Sequence, residues 1–259
     1  MANNLSPAYI NFLHSPTVSL QATKSDRPFH IHRDLLASKS KTIFAAFDCG
    51  FQEDLKGVYT FQDTLEGTLA RFIEWAYTGD YPAVTARAQQ TGLAAKIEED
   101  DEAQNNTAAR GVQLIPAPSP GNHPLPAHMR VYIFSSIYLI PDLRSLAFER
   151  VTVCFTEIDK PEDLDSQLAV IAAFRLAFGK LPQDDPLLDW LAQYAAYGID
   201  KLRMQRDFHD LLLESPELSS RMVLSLIPGQ QPPWKSPPPR YMFGKYVPGT
   251  GNEETEEEF

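Results

Sequence analysis

The chain has 259 residues, 43% of them hydrophobic, which is enough to bury the core of one large or two small domains and argues against disorder throughout. A formal net charge of -11, from 34 acidic and 23 basic residues, offers no positive footprint for a phosphate backbone, so direct binding of DNA or RNA is not expected. The two cysteines, Cys49 and Cys154, are too few and too far apart for a disulfide framework or a cysteine zinc site within one chain, which fits a reducing compartment.

The first residues, MANNLSPAYINFL, lack the basic start and continuous apolar run of a signal peptide, and no run of about twenty apolar residues occurs anywhere. The expectation is an intracellular protein, cytoplasmic or nuclear, without membrane contact. Residues 1–16 read as an N-terminal arm. From Thr17 to Leu20, Val18 and Leu20 alternate with polar residues, and Pro28 to Ile31 repeats the pattern after the polar LQATKSDR, which predicts two strands joined as a hairpin. Leu36, Ser40, Ile43, Phe44 and Phe47 then fall at helical spacing with a break near Lys41, giving one bent helix or two short ones.

After a short VYTF strand, Asp63 and Glu66 have the spacing of a helix-starting capping pair, and Leu69, Phe72, Ile73 and Ala76 line one face of the helix that follows. It stops at Thr78-Gly79, where glycine takes left-handed backbone geometry. Residues 83–127 carry an acidic IEEDDE and a proline-rich PAPSPGNHPLPA with few large apolar side chains, and read as a disordered insertion. Order resumes at His128 with two helices, the second opened by Pro141 and turning Leu143, Leu146, Ala147 and Val151 inward.

Asp165 to Ile227 reads as about four short helices. Ile171, Phe174, Phe178 and Leu181 form one apolar face and Leu187, Trp190, Leu191 and Tyr194 another, while Asp185-Pro186 and Ser215-Pro216-Glu217 are helix starts. Residues 228–259, rich in proline and glycine and ending acidic, read as an extended or disordered tail.

The order strand, strand, helix pair, strand, helix, helix pair, together with FHIHRDLLASKSKTIFAAFDCGFQE and FIEWAYTGDY, resembles the BTB/POZ family, especially its compact fungal-type members. The motif positions are His32, Leu36, Ser40, Gly50, Phe51, Glu53, Trp75, Tyr77 and Gly79, and HMRVYIFSSIYLIPDLRSLA is similar to the family's later helix pair. The resemblance covers about residues 17–155 and implies an α+β BTB/POZ fold, followed here by a C-terminal helical region over residues 156–227. Two departures stand out: His14-Ser15-Pro16-Thr17 occupies the place where an aspartate often precedes the first strand, and Ile43 stands where a phenylalanine is usual.

The residues themselves point to fold-making roles. His32 lies where the second strand passes into the first helix and can serve unpaired backbone groups there. Leu36 lies one turn inward, and Ser40 near the helix end is placed to bond carbonyls or cap the next segment. Trp75 and Tyr77 read as core packing at the end of a helix rather than an exposed pair. His30, His32 and Asp34 have the alternation of metal ligands on one strand face but no further ligand cluster beside them. Neither Ser38 nor Ser40 sits in a nucleophile elbow, and the glycines never group into a phosphate loop.

These features predict a non-catalytic protein-interaction module without cofactor or metal, which self-associates as a homodimer or docks a different protein. Candidate contact residues are Leu35, which lies off the Leu36 face and reads either as a partner contact or as buried under the N-terminal segment, and Phe12 and Leu13 of the arm. The family also implies a substrate adaptor of a cullin-based ubiquitin ligase, although the insertion falls just past Gly79, where family members contact a cullin. A transcription-associated scaffold working through partners is a third reading, and a metal-dependent enzyme built on His30, His32 and Asp34 is the out-of-class one.

Overall fold

A computed structural model of the chain describes residues 12–22, 25, 27–48, 57–83 and 123–225. Cys49, Gly50, Phe51 and Glu53, residues 1–11 of the arm, most of the insertion (84–122) and the tail from 226 onward lie outside the described residues. The described chain is a mixed α+β structure, mostly helical, with one small three-stranded sheet.

Strand β1 (Thr17–Ala22) is central. Its Val18, Leu20 and Ala22 are buried while the alternate residues are not, as the two-residue period of a strand dictates. β2 (Phe29–His32) pairs antiparallel with it, Val18 opposite Ile31 and Leu20 opposite Phe29, so the expected hairpin forms. β3 (Val58–Phe61) lies on the other side of β1 and runs parallel to it, an arrangement that needs a crossover connection.

Helices α1 (Arg33–Lys39) and α2 (Lys41–Ala45) belong to that crossover. Of the two readings the sequence allows, two short helices are what forms: Ser40 between them is extended (φ -146°, ψ 99°). Its hydroxyl accepts the Ile43 N–H at 3.2 Å, replacing one of the bonds that the break removes.

Helix α3 (Glu66–Thr78) buries Leu69, Phe72, Trp75 and Ala76 along one stripe and ends at Gly79 with φ 80°. A side chain added at Gly79 would meet no atom within 4 Å, so the preference for glycine there comes from the backbone angle alone. The helix start differs from expectation. Leu65 is the N-cap residue and makes no side-chain cap, and the Asp63 carboxylate instead faces Lys180 Nζ at 3.8 Å.

Helix α4 (Pro124–Ile137) begins four residues before His128, so residues 123–127 do not belong to an insertion. Pro124 and Pro126 occupy the first turn, where no amide hydrogen is required, and the His123 ring accepts the Leu125 N–H at 3.1 Å. Helix α5 (Pro141–Ile158) follows a short turn in which Leu139 takes a positive φ of 52°. Leu143, Ala147 and Val151 are buried, and Leu146 is half-buried against the same core.

Five helices complete the described chain: α6 (Leu164–Lys180), α7 (Pro186–Tyr197), α8 (Ile199–Leu202), α9 (Arg206–Glu214) and α10 (Pro216–Ser225). This is one more than expected, because the helical run divides at Gly198 and again before Arg206, and α6 is long at 17 residues. The boundary placed after Phe155 falls inside α5. Phe155 stacks on Phe174 at 6.0 Å between ring centres and meets Tyr194 edge-on at 4.5 Å, so one buried core runs from the sheet through to Met222.

Candidate interaction surface

The motif residues that fall within the described structure make intramolecular contacts. His32 stands at the β2–α1 junction, but its ring does not cap the helix backbone. Instead, Tyr77 Oη accepts the His32 N–H at 3.1 Å and lies 2.7 Å from His32 Nδ1. Leu36 is fully buried, and the Ser40 hydroxyl reaches the Tyr138 carbonyl at 3.5 Å besides capping α2. Trp75 is buried, with Lys39 Nζ 4.9 Å above its ring, and Tyr77 is half-buried.

His30, His32 and Asp34 are not brought together. Ser19 Oγ lies 3.1 Å from His30 Nδ1 across the hairpin, His32 is engaged by Tyr77, and the Asp34 N–H donates to Ser15 Oγ at 3.3 Å. Among the described residues no group of three or more histidine, cysteine or acidic side chains could hold a metal ion. His123 and Cys154 line one hollow, but burial raises the Cys154 thiol to about 11, so little thiolate exists near neutrality. Burial likewise lowers the His123 imidazole.

Two polar clusters hold the helices. Arg71 of α3 donates to the carbonyls of Gly67, Pro82 and Ala83, fixing the chain where it leaves Gly79. Tyr81 Oη meets His128 Nδ1 at 3.2 Å, and Arg150 of α5 donates to the Tyr81 carbonyl and to Asp80 and lies over the Tyr81 ring. Burial, reinforced by the Arg150 and Arg71 cations, lowers His128 to about 4. In the second cluster Asp185 accepts from Tyr132 Oη at 2.9 Å, Arg144 Nη2 at 2.9 Å and the Leu187 N–H at 3.0 Å. The sequence marks Asp185 as a helix cap and gives no sign of the other two bonds.

A groove of about 590 Å³ opens between α4, the end of α6 and the β3–α3 connection. Arg130, Ile133, Phe134 and Ile137 form its α4 wall at positions i, i+3, i+4 and i+7, with Leu176 and Lys180 one turn apart on α6 opposite. Leu65 and Ile137 on its rim are 47% and 55% exposed. Burial lowers the Arg130 guanidinium, and burial, with Tyr59 close by, raises the Tyr138 hydroxyl. The α4 stripe is visible in the sequence as a helical repeat; its facing partners, some 40 residues later, are not.

The three candidate contact residues separate. Leu13 is 57% exposed, Phe12 is partly buried against the core, and Leu35 is fully buried. Of the two readings of Leu35, burial is the one that forms: α1 packs against β2, α2 and α3, which leaves Leu35 no open side. No helix among the described residues is long and apolar enough to cross a membrane. Compared with family models and with curated proteins, the chain matches none.

Proposed function

We propose that the chain is a non-catalytic protein-interaction module of BTB/POZ type, extended by its C-terminal helices, which self-associates or docks a protein partner. The observation that carries this reading is joint. Hairpin, helix pair, strand, helix and helix pair follow one another in the order the resemblance implies, and His32, Ser40, Trp75, Tyr77 and Gly79 occupy the element junctions and helix ends of that order. Those residues are engaged in holding the fold, which leaves the outer surface for recognition.

Recognition by such a module is a matter of surface complementarity, in which a few large side chains filling desolvated pockets carry most of the affinity. The exposed Leu65 and Ile137 supply apolar side chains of that kind at the groove between α4, α6 and the β3–α3 connection. Light scattering over a range of concentrations, with affinity capture from extract, tests the reading. Masses above one chain or captured protein are the expected result; a monomer at every concentration together with an empty capture would overturn it.

A further inference from the structure

We propose that the groove between α4, α6 and the β3–α3 connection docks a short acidic peptide segment of a protein partner, with a carboxylate on Arg130 and a large apolar side chain against Ile133 and Ile137. The inference deepens the interaction-module reading and rests on it.

Charge complementarity selects the occupant. The chain is acidic overall, at -11, yet among the described residues this groove carries Arg130 and Lys180 against the single carboxylate of Asp63. Asp63 is itself 86% exposed and reaches Lys180 only at 3.8 Å, so it neutralises little. Arg130 has no hydrogen-bond or ion-pair partner among the described residues, although burial already disfavours its charged form. A guanidinium partly withdrawn from water and left unpaired by the described residues is a ready receptor for a carboxylate, which it binds through two parallel N–H donors.

The apolar half of the site is equally unfilled. Ile137 stands 55% exposed directly along the α4 stripe from Arg130, and Leu65 faces it from the rim at 47%. The groove volume, about 590 Å³, falls in the range that accepts a few side chains. An acidic residue next to a leucine, isoleucine or phenylalanine would satisfy the cation and cover the apolar wall at once. A nucleic acid would meet the cations but not the apolar wall, and would be repelled by the rest of the surface.

The test begins with a display library of random peptides selected on the full chain. Enriched peptides are labelled and titrated by fluorescence anisotropy against the parent chain, Arg130→Glu and Ile137→Asp. Enriched sequences are expected to place Asp or Glu beside a large apolar residue. Each substitution should weaken binding about tenfold or more, and a peptide with Lys in place of its acid should regain affinity for Arg130→Glu. Because Ile137 is more than half exposed, its replacement should leave the melting temperature unchanged and so report on binding alone.

No enrichment, enrichment without acidic residues, or affinity indifferent to both substitutions would overturn the proposal. Binding that emerges only after residues 226–259 are removed would also overturn it, assigning the groove to the chain's own acidic tail. None of these outcomes alters the masses read by light scattering, so failure of the groove and failure of the interaction-module reading are distinguishable.

Discussion

Tyr77 Oη and His32 Nδ1 lie 2.7 Å apart although 45 residues separate them, and the same hydroxyl accepts the His32 N–H at 3.1 Å. One hydroxyl thus meets both the backbone amide and the ring of His32. The pair therefore ties the β2–α1 junction to the last turn of α3. Tyr77→Phe removes both bonds and leaves an unpaired amide at a helix start, an expected loss of about 1–3 kcal/mol by urea unfolding.

His128 gives stability a defined pH dependence. In the folded chain it stays neutral down to about 4, chiefly because it is buried. The unfolded chain takes up that proton as the pH falls through about 6.5. Protonation therefore favours unfolding across the window from 6.5 to 4, and the effect levels off below it. The expected loss is about 3 kcal/mol. His128→Gln, whose amide can still meet Tyr81 Oη, should lack this component when urea midpoints are compared across that window.

Asp185 carries more than a helix start. Its side chain is fully buried and serves Tyr132, Arg144 and the Leu187 amide together, whereas Arg144 keeps 32% exposure. Asp185→Ala leaves the Tyr132 hydroxyl proton without its acceptor, although that oxygen still accepts from Arg144, and leaves Arg144 without its carboxylate; it should cost about 3–5 kcal/mol. A double-mutant cycle with Arg144→Met should show strong coupling, since the second substitution removes the stranded cation. Additive losses in that cycle would count against the cluster.

Leu35 and Leu13 make opposite predictions. Leu35 is fully buried, so Leu35→Ala should lower stability by about 2–5 kcal/mol without a specific effect on association. Leu13, 57% exposed, should tolerate replacement by serine within about 0.5 kcal/mol. Denaturation curves and solution masses of the two variants separate the roles.

What the sequence reveals here is what is local. Val18 and Leu20 announce a strand by alternation, Gly79 ends a helix through its own backbone freedom, and Pro141 opens one because it needs no donor. Ser40 reads as a partner of carbonyls or as a cap, and it is both. Other features depend on residues far along the chain. The Asp63–Glu66 spacing is that of a cap, yet the carboxylate faces Lys180, and the choice between contact and burial for Leu35 is settled only by the covering of α1 on several sides, a tertiary event. Pro124 and Pro126 read as loop because proline is usually a breaker, although in a first turn it is not. The groove escaped for a similar reason: Arg130 and Ile137 share a visible helical stripe, but Lys180 and Leu65 come to it only on folding.

Sedimentation equilibrium of the full chain over a wide concentration range, repeated without residues 1–15, bears most directly on the claim that this is an association module. Self-association predicts masses above the 29.1 kDa of one chain for the 259-residue chain, rising with concentration, and a fall toward that value on truncation if the arm is exchanged between copies. A mass of one chain at every concentration of the untruncated chain would contradict self-association.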